Sequence, residues 1–452
     1  MADQVVRGGT VVTPDGLLQA DIAISGARIE AVAPNLPGAV TEIDARGLVI
    51  FPGLIDVHLH FNEPGRTDWE GAASGSRALA AGGGTLFFDM PLNSTPCTIN
   101  AREFDRKCAA LKAASITDFA LWGGIVPGSV GDMQDLGTRG VVGFKAFLCD
   151  SGLPEFPRAD DLTLFEGLQE AARLGLPVAV HAESQEITAA LARRALEKGR
   201  SRVQEFLASR PVLAELEAIQ RATFLAGEAR AKLHIVHVSS GRGVALAAEA
   251  RARGVDVSIE TCPHYLFFTE DDLERLGTIA KCAPPLRSRD EQAALWDRLL
   301  SGTVDIVASD HSPSPPEMKS GDFFRAWGGI AGVQSTLAVL LEQGHRQRGL
   351  PLERIAALLA ATPAQRFRIA HKGSIAPGNH ADLALVDLSR AFTLQPGDLQ
   401  QRHPISPYVG SEFRGALVRT IRRGETIFLE GAITAQTMGE LVRPSNAQTS
   451  SV

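Results

Sequence analysis

The feature that most constrains the fold is an alternation of short apolar runs and longer helical patterns that starts at Leu54. Eight runs rich in β-branched residues recur along the chain, and they read LIDVHLH, GGTLFFDMP, DFALWGGIV, GVVGFKAFL, PVAVHAE, KLHIVHVSS, VDVSIETCPH and TVDIVASDHSP. Several are apolar nearly throughout, which is typical of strands buried on both faces of a parallel sheet. Eight strands joined by crossover helices predict an α/β fold, a TIM-like (β/α)8 barrel.

Both ends of the chain follow a different pattern. The first fifty residues and the segment after about residue 371 contain short β-rich runs that Gly, Pro and Asp interrupt at close intervals. We predict that residues 1–50 and 371–443 pair into one small β-sandwich domain beside a barrel formed by residues 51–370. The polar segment 444–452 is expected to be a frayed tail.

Composition excludes several classes of protein. Of the 452 residues, 45 are Lys or Arg and 52 are Asp or Glu, so the net charge is −7, and only 6% are aromatic. This balance argues against binding to nucleic acid or to an anionic membrane. The five cysteines include no C-x-x-C spacing, so neither a disulfide framework nor a cysteine zinc site is indicated. No secretory signal is visible near the N-terminus, and we expect a cytoplasmic protein.

The strongest local signal is the pair His58 and His60 at the end of the first predicted barrel strand. Residues two apart on a strand face the same way, so both imidazoles can reach one metal ion. Taken alone, two unrelated histidines are the better interpretation. Four further groups, however, fall near the ends of other predicted strands: Lys145, His181, His237 and Asp310. Because the carboxyl ends of barrel strands share the face that carries the active site, the six residues together predict a metal site.

Lys145 is the unusual member of this set, because a protonated lysine repels a metal ion. Burial lowers the pKa of a lysine, and the neutral amine can add carbon dioxide to form a carbamate. The two carbamate oxygens could bridge two metal ions about 3.5–4 Å apart, the spacing of two-metal hydrolytic sites. A buried ion pair and a Schiff-base lysine are the alternatives, although a Schiff base leaves the surrounding histidines and aspartate unexplained. Residue chemistry alone leaves carbamylation open.

Three other histidines have no ligand role in this interpretation. His234 lies three residues before His237, an odd offset on a strand, so we expect it to face the helices and to be structural. His264 could support the site, although a hydrogen-bonded structural role is the favoured interpretation. His311 follows Asp310 directly, so it is expected to point elsewhere and to orient a neighbour.

Longer motifs connect the chain to a known family. The segment PGLIDVHLH, together with Lys145, His181, His237 and the SDH triplet, resembles the cyclic amidohydrolases of the amidohydrolase superfamily, which include dihydroorotase, hydantoinase/dihydropyrimidinase and allantoinase. The specific resemblance is to the allantoinases, through HFNEPGRTDWEG, DMPLNSTP, GVVGFKAF, ASRPVLAELEAI, CPHY, KCAPPLR, SDHSPSPPEMK, WGGIAGVQS and HPISPYVG. These motifs extend from about residue 50 to about residue 410, nearly the whole chain.

The resemblance implies a hydrolase with two divalent metal ions, with zinc as the expected metal and iron, cobalt or manganese as alternatives. The six residues would be its ligands: His58, His60 and Asp310 on the more buried ion, His181 and His237 on the second, and carbamylated Lys145 bridging both. A hydroxide would be the nucleophile, and Asp310 would act first as general base and then as general acid. The family also suggests a homotetramer.

Two differences separate this chain from other members of the group. Dihydroorotase has an arginine two residues after its H-x-H pair, where Asn62 stands here, and hydantoinases carry a tyrosine after the bridging lysine, where residues 149–152 read CDSG. Both favour allantoin as the substrate and its hydrolysis to allantoate as the reaction. Asn93, Cys282 and Ser312 are the candidate substrate contacts; the respective alternatives are a turn residue, a buried packing thiol and a loop or N-cap residue.

Two alternative functions accompany this interpretation. A hydantoinase/dihydropyrimidinase or a dihydroorotase-like enzyme would use the same metal site on another ring. Some members of the superfamily have lost their ligands and serve as scaffolds, but this chain retains all six, so an enzyme is expected.

Overall fold

The computed structural model describes residues 2–445, so the predicted tail 444–452 lies almost entirely outside the described residues. The strands in the amino-terminal segment are β1 Gln4–Thr13, β2 Gly16–Ser25, β3 Arg28–Ala33, β4 Thr41–Asp44 and β5 Val49–Pro52. The barrel strands are β6 Leu54–Leu59, β7 Gly84–Asp89, β8 Asp118–Leu121, β9 Gly123–Gly124, β10 Phe144–Phe147, β11 Val178–His181, β12 Leu233–Ile235, β13 Val257–Thr261 and β14 Ile306–Val307. The carboxyl-terminal strands are β15 Leu383–Thr393, β16 Glu412–Arg422, β17 Glu425–Leu429 and β18 Ala432–Ile433.

The α-helices lie between and after the barrel strands. They are α1 Ala72–Ala81, α2 Ala101–Ala114, α3 Met133–Arg139, α4 Asp161–Leu174, α5 Gln185–Glu197, α6 Val203–Ser209, α7 Val212–Ala229, α8 Gly241–Ala252, α9 Pro263–Phe267, α10 Glu270–Leu276, α11 Arg289–Leu300, α12 Thr336–Val339, α13 Leu352–Ala356 and α14 Thr362–Arg366. Several begin with a side-chain cap, such as Asn100, whose Oδ1 accepts from the backbone N–H of Glu103 at 3.0 Å. Within residues 2–445, no helix has the length and apolar character needed to cross a bilayer.

The central strands form the predicted parallel barrel. β6, β7 and β8 pair in one sheet, and β9 to β14 pair in chain order in a second sheet. β8 and β9 are two halves of one barrel strand, interrupted at Trp122. A bridge between Leu59 and His311 joins the end of β14 to β6. The eight predicted strands therefore close into one barrel.

Aromatic side chains fill part of the barrel interior. Trp122 fills this region: its indole Nε1 donates to the carbonyl of Val57 at 2.9 Å, and its ring packs edge-on against Phe88 and Phe367. Phe367 directly follows α14, which packs against β6. These aromatic side chains fill part of the barrel interior next to the polar groups.

A bulge in β6 turns both histidines of the H-x-H pair inward. The step from Asp56 to Leu59 spans three residues, whereas the paired step on β7, from 87 to 89, spans two. The extra residue breaks the alternation of side chains, so that Val57 packs in the barrel interior and His58 beside it also faces inward. The Asp56 carboxylate holds the bulge by accepting from the backbone N–H groups of His58 and Ser309 at 3.1 and 3.2 Å.

The two terminal segments share one nine-stranded sheet. β1 pairs with β2, β4 and β5, while β5 pairs antiparallel with β15, which continues through β16, β17 and β18. Because β5 passes into β6 through Gly53 alone, the sheet is attached directly to the barrel. The segment around Leu441 lies beside β8, where Leu441 bridges to Phe119. The division of the chain into domains at residues 50 and 371 stays a prediction.

A buried charge cluster joins the sheet to the barrel. Lys372 Nζ lies 2.8 Å from Asp118 Oδ2 of β8 and also contacts Asp382, which precedes β15. Arg423 donates from Nε to Asp118 Oδ2 at 2.8 Å. Burial opposes the charge on Lys372, but Asp382 and Asp118 raise its pKa above the ordinary value, so the ammonium persists. Breaking such a cluster leaves a carboxylate buried without compensation.

Replacement of Lys372 by Met is therefore expected to lower the free energy of unfolding by about 3–5 kcal/mol, because Asp118 and Asp382 lose their shared cation. The measurement is chemical denaturation followed by circular dichroism. Arg390→Met is the control, since its ion pair with Glu430 is about half exposed and should contribute less than about 1 kcal/mol. Equal losses in the two variants would contradict a structural role for the cluster.

Candidate metal centre

The structure brings the six predicted ligands together at the carboxyl end of the barrel. A cavity of about 470 Å³ opens there, and it is lined by His58, His60, His181, His237 and Asp310. Lys145 lies beside the same cavity, with Nζ 5.0 Å from the centre of the Phe147 ring, which lines it. The Phe147 ring in turn stacks on the imidazole of His181 at 4.4 Å between centres. The ends of five different strands thus converge on one polar pocket.

The side chains of His58, His60 and Asp310 converge on one point. His58 Nε2 lies 3.3 Å from Asp310 Oδ1, and His60 Nε2 lies 3.5 Å from the same oxygen. One ligand atom from each of His58, His237 and Asp310 falls within 4.8 Å of the others. The imidazole of His237 also lies 4.6 Å from that of His181, centre to centre. These spacings leave room for a cation between the side chains and place the second pair of histidines beside the first.

Glu260, at the end of β13, fixes the orientation of two of these histidines. Its Oε1 lies 2.7 Å from His58 Nδ1 and accepts from the backbone N–H of His237 at 3.0 Å. Burial alone would raise the pKa of Glu260, but His58 and the hydrogen bond from His234 lower it to about 2, so it is ionised. An ionised carboxylate requires a proton on His58 Nδ1. The lone pair of His58 is consequently on Nε2, which faces Asp310.

Glu183 orients His181 in the opposite sense. Its Oε2 lies 2.9 Å from His181 Nε2 and also accepts from the guanidinium of Arg210. Burial opposes ionisation, but Arg210 and His181 lower the pKa of Glu183 to about 2. The carboxylate therefore holds a proton on His181 Nε2 and leaves the lone pair on Nδ1. In both His58 and His181, a carboxylate is therefore hydrogen-bonded to the ring nitrogen that does not carry the lone pair, as is common in metal-binding histidines.

The chemistry of this donor set fits a divalent cation. With its Nδ1 proton on Glu260, His58 turns Nε2 toward the Asp310 carboxylate, so that an imidazole nitrogen and a carboxylate oxygen can both bind a cation between them. Burial would raise the pKa of Asp310, but the neighbouring His58, together with His60 and His237, holds it well below its usual range. Burial also lowers the pKa of His60 to about 4 and that of His237 well below the ordinary value, so these rings are neutral ligands.

Lys145 is a buried amine without a partner. Its Nζ has no hydrogen bond to any of residues 2–445, and the side chain is 1% exposed. Burial lowers its pKa to about 8, although the carboxylates of Glu260 and Asp310 oppose the shift. A substantial fraction of Lys145 is therefore neutral slightly above neutral pH, and the neutral amine is the form that can react with carbon dioxide.

Left-handed backbone conformations aim two of the ligands. His237 has φ of 40° and Asp310 has φ of 44°, a region that side chains other than glycine seldom adopt. At His237 the turn follows the last residue of β12, so it breaks the alternation of that strand. Such strain is found where the surrounding structure determines the conformation, and Glu260 supplies part of it here by binding the His237 N–H.

The expected orientation of His234 is wrong. Its ring faces the barrel interior, where it stacks parallel to Trp122 at 6.4 Å and meets Phe367 edge-on at 5.4 Å. His234 Nε2 lies 3.0 Å from Glu260 Oε2. The physical reason is the left-handed conformation of His237, which lies just beyond β12. It breaks the alternation of side chains, so that His234 and His237 face the same side although they are three residues apart.

The other two histidines differ in their surroundings. His264 is buried, but neither ring nitrogen has a hydrogen-bond partner among residues 2–445, so the favoured hydrogen-bonded role is wrong. Burial lowers its pKa to about 4. His311 points away from the cavity, and its Nδ1 accepts from the N–H of Gly332 at 3.1 Å. Its backbone carbonyl accepts from the N–H of His60 at 2.8 Å, while an orienting role of the His311 side chain stays a prediction.

The three candidate substrate contacts all line the cavity: Asn93, Cys282 and Ser312. Asn93 has φ of 70°, and its Nδ2 lies 3.4 Å from Ser312 Oγ. Asn62, which stands where a carboxylate-binding arginine occurs in dihydroorotase, is buried and its Nδ2 lies 3.4 Å from the carbonyl of Pro313.

Sequence reasoning missed Glu183, Glu260 and Arg210. The position of Glu183, two residues after His181 and therefore on the same side of the strand, was the one available signal.

Replacement of Glu260 by Gln is expected to weaken binding of a divalent cation by about 10- to 100-fold, because the neutral amide no longer holds the proton on His58 Nδ1. The measurement is metal content by plasma emission spectroscopy after dialysis against a graded chelator. Glu430→Gln, at an exposed position, is the control. Retention of wild-type metal affinity by the Glu260 variant would rule out this orienting role.

Comparison with known proteins identifies the family. The model of the amidohydrolase family matches residues 49–427. An allantoinase of Solibacter usitatus is 66% identical over 445 residues, which are 98% of this chain and 97% of that protein. An allantoinase of Escherichia coli K12 is 40% identical over 430 residues, 94% of this chain and 95% of the relative.

Solved structures of related enzymes share the whole fold. The L-hydantoinase (dihydropyrimidinase) of Arthrobacter aurescens superimposes with a TM-score of 0.95 at 34% identity, covering 98% of this chain and all of that one. The dihydropyrimidinase of Brevibacillus agri superimposes with a TM-score of 0.92 at 28% identity, covering 98% of this chain and 99% of the other. With a family match over most of its length and close relatives over nearly all of it, this chain belongs to the amidohydrolase family.

Proposed function

We propose that this chain is an allantoinase, which hydrolyses a ring amide of allantoin to give allantoate with the help of two divalent metal ions. The observation that carries the proposal is the convergence of the donor set on one cavity beside the buried amine of Lys145, which has no hydrogen-bond partner among residues 2–445. Relatives named allantoinase that are 40–66% identical over nearly the full length support the choice of substrate. The hydantoinase alternative rests on less similar proteins, such as the Arthrobacter aurescens enzyme at 34% identity.

The ligands of the two ions follow from the directions of the lone pairs. His58, through Nε2, would hold the more buried ion with His60 and Asp310, because these groups converge on one point. His181, through Nδ1, and His237 would hold the second ion. Zinc is the expected metal, since imidazole and carboxylate donors in a buried site suit it, while iron, cobalt and manganese also accept them.

Carbamylated Lys145 would complete the centre. The amine is buried, without a hydrogen-bond partner among residues 2–445 and partly neutral near pH 8. Addition of carbon dioxide forms an N–C bond, releases one proton from the amine, and converts a group that repels cations into an anion with two oxygen donors. This anion would compensate the positive charge of the ions more effectively than neutral histidines can.

The residues of the chain have separate tasks in the hydrolysis. When bound, the two ions supply Lewis acidity that lowers the pKa of water and polarises the ring carbonyl. Asp310 accepts the proton of the attacking water and returns it to the departing ring nitrogen, so one carboxylate serves as general base and then as general acid. Its low pKa and its place beside His58 and His60 keep it ionised before the reaction. Glu260 and Glu183 hold the imidazoles in place.

Recognition of a neutral, hydrogen-bonding ring fits the cavity. Asn93 and Ser312 present an amide and a hydroxyl to the cavity, and Cys282 adds a buried thiol. Asn62 provides no positive charge for a carboxylate on the ring, which disfavours dihydroorotate. Polar groups of the site that remain unpaired would penalise a ring without the ureido arm of allantoin.

Two further features belong to this proposal. The five cysteines are free, which agrees with a reducing, cytoplasmic setting. We also expect a homotetramer, as the resemblance to the family suggests.

Replacement of Lys145 by Ala should remove metal and activity together, because the bridging anion is lost. A short-chain carboxylic acid such as propionate should restore part of both, since it can occupy the place of the carbamate. The measurements are metal content, about two ions per wild-type chain, and turnover of allantoin with and without the acid. Lys112→Ala, exposed on α2, is the matched control. A Lys145 variant that keeps two ions and full turnover would remove the lysine from the centre.

The substrate is tested by a product assay with allantoin, hydantoin, dihydrouracil and dihydroorotate under the same conditions. We expect kcat/KM for allantoin to exceed that for hydantoin by about 10³- to 10⁵-fold, because only allantoin satisfies the polar groups of the cavity. Comparable rates on both rings would reassign the chain to a broad hydantoinase. Preferred turnover of dihydroorotate would contradict the inference from Asn62.

A further inference from the structure

One wall of the cavity is a loop without regular secondary structure. Its residues Ala326, Trp327, Gly328 and Gly329 all line the cavity. The loop packs closely on the end of β14: at Gly329, with φ of 147°, an added Cβ would lie 2.3 Å from the carbonyl oxygen of Ser312. A small displacement of this wall would therefore change the shape of the cavity next to a candidate substrate contact.

Two lysines hold the carbonyl groups of this loop. Lys319 Nζ donates to the carbonyls of Trp327 and Gly329 at 3.1 and 2.5 Å. Lys281 Nζ donates to the carbonyl of Ala326 at 2.5 Å. Lys281 is also bound to the loop through its main chain, since its carbonyl accepts from the N–H of Gly329 at 2.7 Å.

Both lysines hold their amines away from bulk solvent: Lys281 is buried and Lys319 is half-buried. Among the ion pairs of residues 2–445, neither ammonium has a carboxylate within 4.0 Å. Burial lowers the pKa of Lys281 to about 8 and that of Lys319 to about 7. The ammonium groups are thus compensated by the dipoles of the loop carbonyls and, for Lys281, by the ring of Phe206, 4.9 Å away.

Two backbone groups of this wall have no hydrogen-bond partner among residues 2–445, and both belong to Gly328. The N–H groups of Ala326, Trp327 and Gly329 donate to carbonyls within the protein, and the three carbonyls of the same residues accept from the lysines. Within residues 2–445, the N–H and the C=O of Gly328 make no hydrogen bond. Gly328 lines the cavity, so its N–H and C=O are an available donor and acceptor at the cavity wall.

We propose that Lys281 and Lys319 are positioning residues for substrate binding, which hold the loop Ala326–Gly329 so that the N–H and the C=O of Gly328 meet the ring amide and its ureide neighbours. The inference rests on the proposed function for the identity of the ring. In the part of the chain that the structure describes, the hydrogen bonds of both ammonium groups go to loop carbonyls and not to the predicted metal ligands. Their removal should therefore reduce the fraction of molecules with a competent loop, which raises KM in proportion and leaves kcat nearly unchanged.

The test compares Lys319→Met and Lys281→Met with wild type and with Lys112→Met, an exposed lysine on α2. We expect KM for allantoin to rise about 10- to 100-fold in both cavity variants, with kcat within about threefold and metal content unchanged. Lys319→Arg keeps the charge and the donors, so it should restore KM to within about threefold of wild type. The Lys112 variant should behave as wild type.

A second measurement reports on the loop without catalysis. Arg325, whose side chain is 90% exposed, is the tryptic site next to the loop. Cleavage after Arg325 in the full metal-loaded enzyme, followed by mass spectrometry, should be about tenfold faster in Lys319→Met than in Lys319→Arg.

Unchanged KM and unchanged cleavage in both Met variants would overturn the proposal, and so would a loss of kcat at constant KM. If the wild-type enzyme does not hydrolyse allantoin, the proposed function fails, whereas the cleavage rates still decide whether the lysines hold the loop.

Discussion

The centre depends on one buried carboxylate. Glu260 binds His58 through Nδ1, His234 through Nε2 and the backbone N–H of His237, and it is fully buried. These contacts decide which nitrogen of His58 carries the lone pair and help to hold His237 in its left-handed conformation. Glu183 does the same for His181 with the opposite nitrogen. The imidazoles of His58 and His181 are thus oriented by carboxylates of the protein itself, which reduces the ordering that cation binding requires.

The barrel places the ligand residues at one end of its strands, and local irregularities of the backbone set the direction of their side chains. A regular strand would place alternate residues on the same side, but the bulge in β6 and the left-handed residues His237 and Asp310 break that rule near the strand ends. The buried carboxylate of Asp56 stabilises one of these irregularities by binding the backbone at His58 and Ser309. The packing around Trp122 in the barrel interior supplies the rigid support that such strained positions need.

The sequence was sufficient for the fold because its signals are local. Eight apolar runs and the helical patterns between them predict the barrel, and β-rich ends predict the shared terminal sheet. The six ligand candidates were visible because each lies near the carboxyl end of a predicted strand. The orientation of His234 was mispredicted, because a left-handed residue on a strand leaves no mark in the pattern of apolar residues.

Contacts between segments that are far apart in the sequence could not be predicted from it either. Glu260 lies 202 residues from His58 in the chain, and Lys281 lies 45 residues from Ala326. An acidic residue in a predicted strand or a lysine in a loop has no pattern that distinguishes a buried, functional group from an exposed one. Such roles follow from burial and hydrogen bonding, which become known only when the fold is assembled.

The most direct test of this account is a crystal structure of the metal-loaded enzyme at a resolution that separates ring nitrogens by their contacts. We expect two ions, His58 bound through Nε2 with Nδ1 on Glu260, His181 bound through Nδ1 with Nε2 on Glu183, and carbamate density on Lys145 between the ions. A His181 that binds through Nε2, or a Lys145 present as a free ammonium beside a single ion, would contradict the claim that the buried carboxylates preset a two-metal centre.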